Sequence, residues 1–220
     1  AMGLLFGLIL AIASRIFAVK TDARLEPLIG ALPGANCGGC GFAGCAACAE
    51  AIASGAAPVN ACAVCSGEQT RAIAAIMGVE VAPAERRVAY VKCAGGQRAG
   101  RKYEYVGIDD CVGAMKIAGN GPLECAYGCL GFGNCVRACA FDAIHINANG
   151  VAEVDREKCT NCGKCRSACP RNLIVSIPYA ADILVACSSR DKGAVARNSC
   201  SVSCIACRLC EKNCPNDAIH

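Results

Sequence analysis

Cys159, Cys162, Cys165 and Cys169, with Pro170 behind them, read C-x2-C-x2-C-x3-C-P, and Cys204, Cys207, Cys210 and Cys214 repeat the run with Pro215. A structural Cys is a small buried hydrophobe, and burial has no reason to space thiols in this way. Cluster chemistry has. One tight loop presents three thiolates to three irons of a cubane, and the fourth Cys turns away to serve a second cluster. Zinc sites favour two-plus-two spacing. Disulfide frameworks belong mostly to short secreted domains, whereas this chain has 220 residues, 22 of them Cys.

The formal charge of +4, from 22 Lys+Arg and 18 Asp+Glu, misleads once clusters are counted. An oxidised cubane on four thiolates carries about −2, and reduction adds about −1. Three or four of them bring the folded chain below zero. A basic-patch reading for nucleic acid therefore loses force, and the absence of Trp argues against base-stacking platforms. With two His there is no His-rich metal site.

Residues 3–19 are almost all apolar, with Ser14 and Arg15 the exceptions. A membrane span takes about 20 such residues, so residues 1–20 are expected to be a transmembrane anchor trimmed at its start. A buried amphipathic helix is the alternative. Arg15, Lys20 and Arg24 flank its C-terminal end, which places the downstream chain on the cytoplasmic side by the positive-inside tendency. Residues 25–78 read as a four-Cys domain in which Cys37, Cys40, Cys45 and Cys62 form a C-x2-C-x4-C-x16-C set for one [4Fe-4S] cluster. Cys45 to Ser54 is expected to be helical. Ser66 and Gln69 make a capping-box pattern ahead of a second helix that stops at Gly78. Cys48 and Cys65 lie just past proposed ligands and are able to substitute for them. Residues 79–124 read as a linker with a strand at Val88–Val91.

From Cys93 onward the chain repeats. Aligned on Cys139, Cys169 and Cys214, each run has Ile five residues later, at Ile144, Ile174 and Ile219. The first run offers Cys129 and Cys135 but has Phe132 where the middle ligand belongs. Cys125 is the favoured replacement, and a three-iron cluster on Cys129, Cys135 and Cys169 is the alternative. By the crossover rule Cys169 completes the set of Cys125, Cys129 and Cys135, and Cys139 completes that of Cys159, Cys162 and Cys165. The repeat also pairs Cys125 with Cys200, each fourteen before the last Cys of its run, and Val91-Lys92-Cys93 with Val185-Ala186-Cys187. These extra thiols either lie together as a reduced pair or help a cluster. Residues 125–178 thus read as a two-cluster ferredoxin module. Residues 179–220 read as the start of another, with Cys204, Cys207 and Cys210 holding a cluster whose last ligand lies beyond His220.

Together these motifs resemble the B subunits of the Rnf complexes, membrane-bound ferredoxin:NAD oxidoreductases. Gly128-Cys129-Leu130-Gly131-Phe132-Gly133-Asn134-Cys135 and the long ferredoxin array resemble the clostridial type, with Ala140 departing from the usual Pro. The resemblance implies that electrons enter from soluble ferredoxin, that other membrane and flavin- or NAD-binding subunits receive them, and that Na+ or H+ is translocated. It implies an α+β fold: a transmembrane helix, a small helical [4Fe-4S] domain and tandem ferredoxin modules of β-α-β-β-α-β type. Within the chain no flavin, nicotinamide or Walker site is evident. Gly131-Phe132-Gly133 lacks the strand–turn–helix context of a nucleotide loop. His145 reads as a surface or packing residue, and Asp109-Asp110 as a solvated turn. Lys116, Arg137, Lys158, Lys164 and Arg166 form either a steering surface for an acidic carrier or a solvated face. Two other readings stand beside this one: a ferredoxin-like subunit of a dehydrogenase or corrinoid system, and a zinc-stabilised adaptor without redox function.

Overall fold

The computed structural model describes residues 22–82 and 85–216, together with Gly3, Phe6, Gly7, Leu10, Ala11 and Ile12. Apart from those six residues, the expected anchor over residues 1–20 lies outside the described residues. Among the described residues no helix is long and apolar enough to cross a membrane. The chain divides into two units, residues 1–82 and 83–220.

The first unit packs three helices, α1 (Leu25–Ala31), α2 (Cys45–Ala53) and α3 (Gly67–Met77). The apolar side chains meet as a stripe from each helix: Leu28, Ile52 and Ile73 are fully buried around Cys48 and Ala49. Burial of each such aliphatic side chain is worth about 1.5–3 kcal/mol. The expected capping box is formed, with the Gln69 amide donating to Ser66 Oγ and the Ser66 amide to Gln69 Oε1, and Gly78 ends α3. Helix α1 has no counterpart among the sequence-based expectations. Its preceding residue Arg24 donates to the Ala53 carbonyl at 3.0 Å, so a side chain read as a membrane flank caps the end of α2.

The second unit contains β1 (Arg87–Val91), α4 (Cys111–Met115), α5 (Asn134–Arg137), β2 (Ile144–Ile146), β3 (Ala152–Val154), α6 (Lys164–Ala168), β4 (Ile174–Pro178), α7 (Gly193–Ser199) and α8 (Leu209–Lys212). With α4 set aside, the order from β1 to β4 is β-α-β-β-α-β, the ferredoxin-like arrangement. Strands β1 and β4 pair antiparallel from Arg87↔Pro178 to Val91↔Ile174, and β2 pairs antiparallel with β3 from Ile144↔Val154 to Ile146↔Ala152. The strand in the segment read as a linker therefore closes the module, and residues 92–128 are an insertion between that strand and Cys129. The core is small: Ala89, Val91, Ile144, Val151, Leu173 and Ile174 with Cys135, and Cys129, Cys139, Cys159, Cys165 and Cys169 pack against it.

Candidate iron–sulfur centres

In the second unit the thiols gather in groups of four. Cys111, Cys129, Cys135 and Cys169 line an open cavity with Val91, Leu130 and Ile146. Burial pushes the Cys135 thiol up to about 12, and the nearby Cys129, Cys169 and Cys111 push it the same way. Cys139, Cys159, Cys162 and Cys165 line a second cavity. There burial, then Cys159, Cys162 and Cys139, push Cys165 up to about 11. Four crowded thiols resist losing four protons together, and a bound cationic core reverses that preference.

The crossing of Cys139 and Cys169 between the two groups is the arrangement anticipated from the repeat. The fourth member of the first group is not: the structure brings Cys111, rather than Cys125, to Cys129, Cys135 and Cys169. The reason is local. Asp110 caps α4 by accepting from the Gly113 amide at 2.6 Å. It also accepts from the Asn134 side-chain amide at 2.6 Å, and the Cys111 amide donates to Asn134 Oδ1 at 2.8 Å. Asn134 adjoins Cys135, so this exchange pins the start of α4 to the thiol loop. Gly113 first, then Asn134, hold the Asp110 carboxyl below the usual carboxylate range. Spacing alone carries no mark of Cys111. Its position at the first turn of an Asp-capped helix is the available signal. Cys125 lies instead with Cys93, Cys187 and Cys200 around a separate cavity.

Backbone amides point at the sulfurs. The Ala143 amide donates to Cys139 Sγ at 3.4 Å, Leu173 to Cys169 Sγ at 3.5 Å, and Ala89 and Asn161 to Cys159 Sγ at 3.3 and 3.5 Å. Such bonds stabilise thiolate charge and tune clusters. Orphaned polar atoms mark the same places. Among the described residues Thr160 Oγ1, Asn161 Oδ1, Arg171 Nε and Ser203 Oγ are buried without a hydrogen-bond partner. Of the donors among them, Thr160 lines the Cys139 cavity, Arg171 the Cys111 cavity, and Ser203 that of Cys125. A hydroxyl or guanidinium N–H left unpaired costs about 1–3 kcal/mol unless an acceptor stands in the cavity, and sulfide-rich clusters provide acceptors. The all-thiolate groups, with backbone amides aimed at their sulfurs, fit cubanes.

Gly131 has a packing role: at φ +79° a Cβ there would stand 2.6 Å from the Gly150 carbonyl. This accounts for Gly131 beside the β2–β3 turn without a nucleotide. His145 is exposed on β2.

In the first unit Cys40, Cys45 and Cys62 lie with the two spare thiols. Cys48 is buried, and its thiol is pushed up to about 12 by burial and then by Cys40, Cys62 and Cys45. Cys65 donates to Cys62 and holds that thiol down at about 6, while Cys65 is itself pushed up. The Cys45 amide donates to Asn36 Oδ1 at 2.8 Å, fastening the Cys37–Cys45 loop to the start of α2. Cys204, Cys207 and Cys210 are exposed.

Comparison with known proteins points to the same chemistry. A family model described as a putative Fe-S cluster matches residues 32–64, and a 4Fe-4S binding domain matches residues 152–175 and 203–220. The chain is 42% identical over 220 residues to the B subunit of the ion-translocating oxidoreductase complex of Methanosarcina acetivorans, covering all of this chain and 83% of the relative. It is 44% identical over 220 residues to the B subunit of the proton-translocating ferredoxin:NAD(+) oxidoreductase complex of Clostridium ljungdahlii, covering 99% of this chain and 77% of the relative. The chain belongs to this family of B subunits. A third member, the B subunit of the Na(+)-translocating ferredoxin:NAD(+) oxidoreductase complex of Acetobacterium woodii, is 48% identical over 203 residues. That alignment covers 92% of this chain, which spans 61% of the relative's length. Of the thiols grouped in the second unit, Cys93, Cys111, Cys125, Cys129, Cys135, Cys139, Cys187 and Cys200 all fall outside the segments the family models match.

Proposed function

We propose that this chain is the iron–sulfur electron relay of a membrane complex that carries electrons from reduced ferredoxin toward NAD and couples their flow to Na+ or H+ translocation. The observation that carries the reading is the crossed pair of thiol groups in the second unit, where Cys139 joins Cys159, Cys162 and Cys165 while Cys169 joins Cys129 and Cys135. A relay needs cofactor sites within one rigid core, and the exchange of one ligand each way ties two sites together. The names of the Acetobacterium woodii and Clostridium ljungdahlii relatives supply ferredoxin, NAD and the translocated ion.

On this reading Cys37, Cys40, Cys45 and Cys62 hold one [4Fe-4S] cluster, Cys111, Cys129, Cys135 and Cys169 a second, and Cys139, Cys159, Cys162 and Cys165 a third. Cys204, Cys207 and Cys210 present the same loop to a further one. Bound at such thiolates, a [4Fe-4S] cluster supplies a one-electron carrier. The chain's own groups set each site's properties: the amides of Ala89, Ala143 and Leu173 place partial positive charge on sulfur, and apolar side chains keep water away. Soluble ferredoxin, the other subunits of the complex and the cytoplasmic face of the membrane are the partners in this reading. Redox-titrated EPR with iron and sulfide quantification on the intact protein tests it. Separate one-electron components from the Cys111 and Cys139 groups are expected. Zinc in place of iron, or full electron flow in Cys162→Ser, would overturn it.

A further inference from the structure

We propose that Cys93, Cys125, Cys187 and Cys200 bind an additional [4Fe-4S] cluster, at a site outside the C-x2-C-x2-C motifs and outside every segment matched by the family models. The four thiols come from separate stretches of chain: the segment just after β1, the end of the 92–128 insertion, the loop after β4, and the residue that ends α7. They line one cavity with Gly95, Gly128 and Ser203.

The cavity is held open. A Cβ on Gly95 would stand 3.2 Å from Cys200 Sγ and 3.7 Å from Cys93 Sγ, and one on Gly128 would stand 3.6 Å from Cys125 Sγ. Glycine at these positions leaves the thiols facing empty volume instead of a side chain. The walls are fastened across the sequence: Ser188 donates its hydroxyl to the Lys92 carbonyl at 3.0 Å, and the Gly100 and Ser201 amides bond the Ser199 and Arg98 carbonyls at 3.0 and 3.1 Å. Amide donors serve this group as they serve the other two. The Cys129 amide donates to Cys93 Sγ at 3.3 Å, and the Ser189 amide to Cys187 Sγ at 3.4 Å. Ser203 Oγ, buried without a partner, lines the same cavity and needs an acceptor there.

A soft, all-thiolate donor set selects zinc or an iron–sulfur cluster, and the setting favours the cluster. Cys129 bonds Cys93 through its amide while its own thiol belongs to the Cys111 group. Arg171 donates to the Cys125 carbonyl at 3.2 Å and to the Gly128 carbonyl while it lines the Cys111 cavity. A half-buried guanidinium between two thiol groups is compensated when both carry negative clusters. Taking up a [4Fe-4S]2+ core releases four thiol protons and leaves a site of net charge about −2. The sequence repeat fits as well: the matched pairs Cys125/Cys200 and Cys93/Cys187 converge on one place. None of this depends on which proteins deliver or accept electrons.

The test uses the intact chain, reconstituted anaerobically with ferrous iron and sulfide. Cys93→Ser/Cys187→Ser is expected to lose about four iron and four sulfide per chain and one EPR component. The components removed by Cys111→Ser and by Cys162→Ser should persist, which also shows that the variant is folded. Cys187→Ser alone, on an irregular loop, is expected to add a three-iron signal absent from the unsubstituted protein. Unchanged iron, sulfide and spectra in both variants would overturn the proposal, as would the loss of one zinc in place of iron. Because iron and sulfide are counted without turnover, failure of the relay reading would show separately, as absent electron flow at full cluster content.

Discussion

Residues 159–170 and 204–215 carry the same motif and receive different surroundings. Their loops share a backbone: Asn161 and Ala206 stand at equal positions with φ of 55° and 54°, and Gly163 and Arg208 at equal positions with φ of 83° and 58°. Asn and Gly tolerate this left-handed region, whereas Ala and Arg are strained in it. The loop conformation thus follows from presenting three thiols at once rather than from residues that prefer it. The environments diverge beyond the loop. Cys159, Cys162 and Cys165 are half-buried under Phe141, Ile144 and Val154 and have Cys139 from the preceding run. Cys204, Cys207 and Cys210 are exposed. The motif supplies three thiols, and neighbouring strands and a thiol from elsewhere supply the rest.

The largest effect should come from removing that distant thiol. Cys139→Ser is expected to match Cys162→Ser, losing or converting to a three-iron form one cluster of about four iron, with electron flow abolished; Cys207→Ser should leave that EPR component intact. If Cys139→Ser spares it, the comparison fails, because the enclosed loop would then not depend on the earlier run.

Next comes the contrast between Cys111 and Cys125. Cys111→Ser should alter the component of the Cys129, Cys135 and Cys169 group, and Cys125→Ser should leave it in place. The reverse pattern in EPR would restore the spacing-based assignment.

The two loops also predict opposite small changes in stability. Ala206→Asn relieves left-handed strain and should stabilise by about 1 kcal/mol, while Asn161→Ala should destabilise by a similar amount. Loss of cluster absorbance on heating reads both.

The smallest effect is one of pH. Asp110 has a carboxyl held below its ordinary value of 3.8, so its contribution is complete above 3.8 and is lost as pH falls toward the lower folded value. In Asp110→Asn the acid-side loss of the Cys111-group signal should begin at higher pH and be less steep, as measured by EPR after brief acid exposure.

Much of the local structure was legible in the sequence. The thiol triplets, the Ser66 capping box, the Gly78 stop and the strand near Val88 are short-range features, fixed by a few adjacent side chains and by the geometry of one loop. The membership of the thiol groups was not. Spacing made Cys125 the natural companion of Cys129, yet Asp110 and Asn134 deliver Cys111. The matched positions of Cys93, Cys125, Cys187 and Cys200 were visible as a pattern, but nothing local says that they face one cavity.

The sequence by itself determined the spacing of the thiols within each triplet and the helices that follow Cys45 and Ser66, because covalent spacing and capping act over a few residues. Only the tertiary structure decided which four thiols line one cavity. That choice depends on β1 pairing with β4 across more than eighty residues of chain and on the 92–128 insertion folding back beside it. Contacts at such separation are selected by packing of the whole unit, and no single stretch of residues encodes them.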